Sequence, residues 1–186
     1  MNRRELLQMI ASVTGYAMIG SPLLMSACTS ANPARGMVLT ADDQTLLAEI
    51  ADTIFPRTDT PGAKDVGVPE LIVRLVNNTY EDLDQQQFHQ GLAAIRSDTL
   101  ARYGQSFENL PAGQRAEFLN ALNQSALVYR RPLGVSAHYF IMMKQLTIFS
   151  YFTSEQVQTS VLRLVPVPGR FDGDYPYVKG ETAWSI

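Results

Sequence analysis

From Thr40 to Val165 apolar residues return at helical spacing, and this pattern constrains the fold more than any other feature of the chain. Thr40 with Asp43 reads as a capping box that opens the first helix. Leu46, Leu47, Ile50, Ala51, Ile54 and Phe55 then form one stripe, and Pro56 ends it. Pro69 suits the first turn of a second helix, with Leu71, Ile72, Leu75 and Val76 on one face. Asp84 opens a third, with Phe88, Leu92, Ile95 and Tyr103 inward and Gly104 as its stop. Pro111 opens a fourth through Phe118, Leu119 and Leu122, and Ser136 a fifth through Phe140, Met143, Leu146, Thr147 and Phe149. Thr153 with Gln156 reads as a further capping box, with Val157, Val161, Leu162 and Val165 behind it. No stretch alternates with a period of two, no strand–helix alternation occurs, and no repeat is visible. The spacing predicts an all-α, irregular bundle of about five or six helices over residues 40–165.

The last stretch, residues 166–186, breaks this pattern with Pro166, Pro168, Gly169, Gly173, Pro176 and Gly180. A helix cannot run through them. Among them stand Phe171, Tyr175, Tyr177 and Trp184, too many aromatics to leave in water. The segment reads as an extended docking tail, packed either on the bundle itself or on a partner. Tyr, Trp and Arg are the residue types that anchor interfaces. Arg170, Phe171, Asp172, Tyr175, Tyr177 and Trp184 are therefore the candidate partner-binding residues.

The other end carries an address. Met1-Asn2-Arg3-Arg4-Glu5 is followed by no charge until Arg35, and residues 6–25 are mostly apolar. A short basic head, an apolar middle and small residues make a secretory signal. Arg3-Arg4 resembles the twin-arginine signal by which bacteria export folded proteins. A retained membrane helix is the alternative, weakened by Gly15, Gly20 and Pro22. The one cysteine, Cys28, follows Leu24-Met25-Ser26-Ala27, which resembles a lipoprotein processing site apart from Met25. Lipidation of Cys28 and a cut further on, for instance after Ala31, both stand. Residues 1–28 thus read as signal and 29–39 as a small, polar linker.

Composition removes much chemistry. The chain has 186 residues, 15 Lys plus Arg against 18 Asp plus Glu, one Cys and two His. The acidic balance argues against a general nucleic-acid binder. One Cys excludes an internal disulfide, a Cys-built zinc site and a Cys-x-x-Cys-His haem attachment. There is no Gly-x-Gly-x-x-Gly, no phosphate loop and no His-Glu-x-x-His. His89, in a Gln-rich stretch, reads as a solvated residue; His138, at the start of the fifth helix, as a partly buried one. Asp172 and Asp174 with Glu181 could suggest a calcium loop, but the remaining ligands are missing and turn chemistry suffices. Met142-Met143 and the aromatics of the fifth helix read as core, and Arg130-Arg131 as a solvated corner. No catalytic, cofactor-binding or metal residue is assigned. The rival readings are a free-standing periplasmic lipoprotein with a structural role, or a hydrolase using Asp172, Asp174 or Glu181 with His138.

Three segments, in order, carry a family likeness. Thr53-Ile54-Phe55-Pro56-Arg57-Thr58-Asp59-Thr60-Pro61-Gly62-Ala63, continuing to Val66-Gly67-Val68-Pro69, resembles the small subunit (subunit 3) of bacterial gluconate 2-dehydrogenase. So do Phe149-Ser150-Tyr151-Phe152-Thr153-Ser154-Glu155 and the tail Val167–Pro176 with Gly180–Trp184. The resemblance implies a non-catalytic subunit. In that family a large FAD-dependent flavoprotein of the glucose–methanol–choline type oxidises the sugar or sugar acid. A multihaem cytochrome c, when present, takes the electrons through its haem c groups. The small subunit carries the export signal and stabilises the flavoprotein. The implied location is periplasmic and membrane-associated.

Overall fold

A computed structural model describes residues 38–130, 136–167 and 169–185. Arg3, Arg4, Cys28, Arg131, Pro168 and most of the linker fall outside them. All described residues belong to one compact unit, Gly36–Ile186. The described residues form six α-helices: α1 (Ala41–Ile54), α2 (Val68–Thr79), α3 (Asp82–Tyr103), α4 (Ala112–Val128), α5 (Tyr139–Phe152) and α6 (Glu155–Ser160). A 3-10 turn, Phe107–Asn109, joins α3 to α4. Two-residue strands β1 (Arg163–Leu164) and β2 (Trp184–Ser185) pair in parallel. The all-α expectation holds.

The start of α1 obeys capping chemistry. Thr40 Oγ1 accepts from the Asp43 amide at 3.3 Å, and Asp43 Oδ2 accepts from the Thr40 amide at 2.9 Å. This is the reciprocal box that the Thr–Asp spacing predicts. Asp43 also does what spacing could not reveal: its Oδ1 accepts from Arg96 Nη1 at 2.8 Å and ties α1 to α3. Burial works to raise the Asp43 pKa, but the Thr40 bonds and Arg96 outweigh it and hold the carboxyl below its ordinary value. Gly104 takes a left-handed φ of 69° and closes α3, as the sequence suggested.

α5 is the centre of the bundle and touches α1, α2, α3, α4 and α6. Its sequence is mostly apolar around the helix, with Lys144 and Gln145 the polar exceptions. Phe140, Met142, Met143 and Leu146 are buried with Leu46, Leu47 and Ile50 of α1, Ile72 and Val76 of α2, and Phe88, Leu92 and Ile95 of α3. α3 approaches α5 closely at one point. A Cβ on Gly91 would lie 2.5 Å from Tyr139 Cβ, so only glycine fits there.

Five expectations need correction. His89 is buried, not solvated. The glutamines around it do not mark a wet face: Gln85, one turn earlier, is itself buried and donates through Nε2 to the carbonyls of Val76 (3.0 Å), Asn77 (3.4 Å) and Tyr80 (3.1 Å). It satisfies the end of α2, whose last carbonyls have no partner within the helix. The third helix starts at Asp82 rather than Asp84, and the fifth at Tyr139 rather than Ser136. His138 is the cap of α5, with Nδ1 accepting from the Phe140 amide at 3.2 Å. Burial lowers its pKa, so the neutral ring that can accept is favoured. The Thr153–Gln156 box does not form. Thr153 ends α5, donating from Oγ1 to the Phe149 carbonyl at 2.7 Å, and Ser154 precedes α6. Finally, Phe149 and Phe152 are not core, a point that bears on function.

Candidate functional site

The tail is ordered by one residue of the body. Arg163 in β1 donates through Nη1 to Glu181 Oε1 at 2.9 Å and to Tyr175 Oη at 3.4 Å. Its guanidinium lies 3.9 Å from the centre of the Trp184 ring, within cation–π range. Tyr175 meets Trp184 edge to face, with ring centres 5.3 Å apart. The backbone joins in: the Arg163 amide donates to Ala183 O at 2.9 Å and the Val165 amide to Ser185 O at 3.0 Å. Ser185 Oγ also bonds Gln158 of α6. Arg163, Val165, Arg170, Asp172, Tyr175 and Trp184 line an open groove of about 530 Å³.

The six candidate partner-binding residues divide among three situations. Tyr175 and Trp184 are half-exposed and engaged with Arg163, whereas Arg170 and Asp172 pair with each other at 3.1 Å on the surface. Phe171 is 96% exposed and Tyr177 85% exposed. The tail thus folds back on the body through some of its aromatics and presents the others to solvent. Asp172 and Glu181 answer to arginines, and His138 caps α5 and stacks on Tyr139 with ring centres 4.5 Å apart. Among the described residues no group of three His, Cys, Asp or Glu is placed to hold a metal ion.

A second surface escaped the sequence reading. Ile148, Phe149 and Phe152 of α5 are 37%, 54% and 38% exposed. At spacings of one and four residues they share one side of the helix. Beside them runs the loop between α1 and α2, which the first family-like segment encodes. It is closely tied down. Phe55 stacks on Tyr151 at 4.3 Å with the rings 5° from parallel, and Tyr151 Oη donates to Pro61 O at 2.8 Å. Arg57 Nε donates to Asp65 Oδ2 at 2.7 Å, the same oxygen that accepts from the Gly62 amide at 2.7 Å. A Cβ on Gly62 would meet the Arg57 backbone nitrogen at 2.9 Å. Lys64 donates to Glu49 at 2.7 Å, and Arg115 of α4 pairs with the same carboxylate. Burial works to raise the Glu49 pKa, but these two cations outweigh it and hold the carboxyl below its ordinary range. The loop's tip, Pro56–Asp59, is exposed.

This surface was hidden from the sequence because an apolar helix reads as buried on all sides. The bare side follows from which neighbours α5 has, not from its spelling.

Comparison with curated proteins and with solved structures yields no match. The family model described as gluconate 2-dehydrogenase subunit 3 matches residues 41–169. That stretch takes in all six helices, the clamped loop, the bare side of α5 and β1. With the matched stretch covering more than half of the chain, the protein belongs to the gluconate 2-dehydrogenase subunit 3 family, the accessory subunits of a larger dehydrogenase complex.

Proposed function

We propose that this chain is the non-catalytic small subunit of a periplasmic, membrane-associated, FAD-dependent dehydrogenase acting on gluconate or a related sugar, and that it escorts the flavoprotein during export. The observation that carries this reading is the family match over residues 41–169. Two further features support it. Arg3-Arg4 before a charge-free run suits export of folded cargo, and a flavoprotein has to fold around FAD before it crosses a membrane. Phe171 and Tyr177 stand bare in a tail whose base is fixed by Arg163, which suits a projecting contact. In this account FAD sits in the large subunit, and haem c in a cytochrome subunit where one is present. Lipidation of Cys28 would hold the complex on the membrane face, since two acyl chains anchor firmly where one does not.

Export supplies the test. Arg3→Lys combined with Arg4→Lys should hold both this chain and the dehydrogenase activity in the cytoplasm, read by fractionation. Normal periplasmic activity in the double variant would refute the escort role.

A further inference from the structure

We propose that the bare side of α5, together with the clamped loop beside it, is the principal surface on which the large dehydrogenase subunit docks. This rests on the reading of the chain as that enzyme's accessory subunit. Large apolar side chains on a helix need cover wherever they face. α5 has cover from five helices and lacks it along Ile148, Phe149 and Phe152. No charged residue occurs between Lys144 and Glu155, so the α5 strip has the charge-poor character of an interface centre, while the exposed Arg57 and Asp59 of the loop tip stand at its rim; it fits an apolar patch with a polar border on the partner.

The surface is also pre-organised. Phe152 sets its ring edge-on to Phe55 at 5.7 Å, and Phe55 is stacked on the buried Tyr151. Little ordering remains to be done on binding, which favours affinity. The surface continues into the tail, because Gln158 donates to the Phe152 carbonyl and bonds Ser185 of β2. The tail then extends a contact centred on α5 rather than forming the whole of it.

The extent of the family match argues the same way. It covers α5 and the loop, and of the family-like tail only the residues up to 169 fall within it. Assembly with a dehydrogenase is the property the family name describes, and a surface serving it is expected inside the matched stretch. The dehydrogenase is therefore the occupant proposed, and a second copy of this chain is the alternative that the test separates from it.

The test is equilibrium binding of the purified large dehydrogenase subunit to the immobilised full chain. Phe149→Asp should weaken binding about 30-fold or more, the scale of an interface anchor. Ile148→Lys serves as an independent second variant if Phe149→Asp alters the melting temperature. Phe171→Asp in the tail should weaken binding less, by about fivefold or under, and Leu83→Asp, exposed on α3, should leave it unchanged. Wild-type affinity in both α5 variants overturns the proposal, and so does a dimeric wild-type chain that both variants make monomeric without loss of dehydrogenase binding. A large loss in Phe171→Asp with none in the α5 variants also overturns it and leaves the accessory role intact. If the wild-type chain does not bind the large subunit at all, the accessory reading itself fails.

Discussion

Gly91→Ala should destabilise the protein by about 2 kcal/mol, although alanine is the better helix former by roughly 1 kcal/mol. Gly91 lies in the interior of α3 and faces the start of α5. The added methyl would fall 2.5 Å from Tyr139 Cβ, where carbon atoms normally keep about 3.5–4 Å. Rotation of the Tyr139 side chain cannot relieve this, because Cβ is fixed to the backbone. The two helices must separate, and separation loosens the packing of Phe88 and Leu92 beside the junction. Gly91→Val should cost more. For a chain of this size each kcal/mol moves the melting temperature by about 2–4 °C, so thermal unfolding resolves the effect. Gly91→Ala with Tyr139→Gly should cost less than the sum of the two single changes, since residues in contact are not additive. A stability gain in Gly91→Ala would show that propensity outweighs the close approach.

Tyr151→Ala is expected to be the more severe change, at about 3–5 kcal/mol, the range for deleting a large buried aromatic. Tyr151 is buried, stacks on Phe55 and donates to the Pro61 carbonyl at 2.8 Å. It therefore joins the C-terminal half of α5 to the loop that follows α1. Tyr151→Phe keeps the stack and removes only the hydrogen bond, so it should cost about 1 kcal/mol. Hydrogen exchange separates the two variants further. In Tyr151→Ala the amides of Thr58, Thr60 and Ala63 should exchange much faster, because Phe55 no longer has a face to rest on. Unchanged protection there would show that Arg57–Asp65 and the Lys64–Glu49–Arg115 group hold the loop without Tyr151.

These two positions illustrate how far the residues alone could be read. Local chemistry was legible. The Thr40–Asp43 box, the stop at Gly104, Pro69 in the first turn of α2 and the inward stripe of α1 each follow from neighbours within about a turn of helix, and each is present. What failed depended on residues distant in the chain. His89 looked wet because glutamine is usually wet, but α2 ends where Gln85 can cap it, and the whole side of α3 turns inward. Gly91 carried no signal, since a lone glycine in a helix says nothing about what approaches it. Thr153 had the spacing of a cap, yet its hydroxyl was already committed to the preceding helix.

The candidate site was half legible for the same reason. Proline, glycine and aromatics marked the tail as non-helical and sticky. They could not reveal that Arg163 would gather Tyr175, Glu181 and Trp184 and leave Phe171 and Tyr177 outside. Nor could composition distinguish the covered sides of α5 from the bare one. The family-like loop was recognisable as a string of residues, while its role as a brace for α5 needed the Phe55–Tyr151 stack to be seen.

We propose that this chain assembles with a dehydrogenase and does no redox chemistry itself, and purification of the native assembly through a tag on this chain tests this most directly. Light scattering and absorbance should show a large subunit in fixed ratio to this chain. After dissociation the flavin absorbance and the activity should stay with the large subunit, and this chain should be colourless. A chain that purifies alone, or one that keeps a stoichiometric chromophore or dehydrogenase activity after separation, would contradict the account.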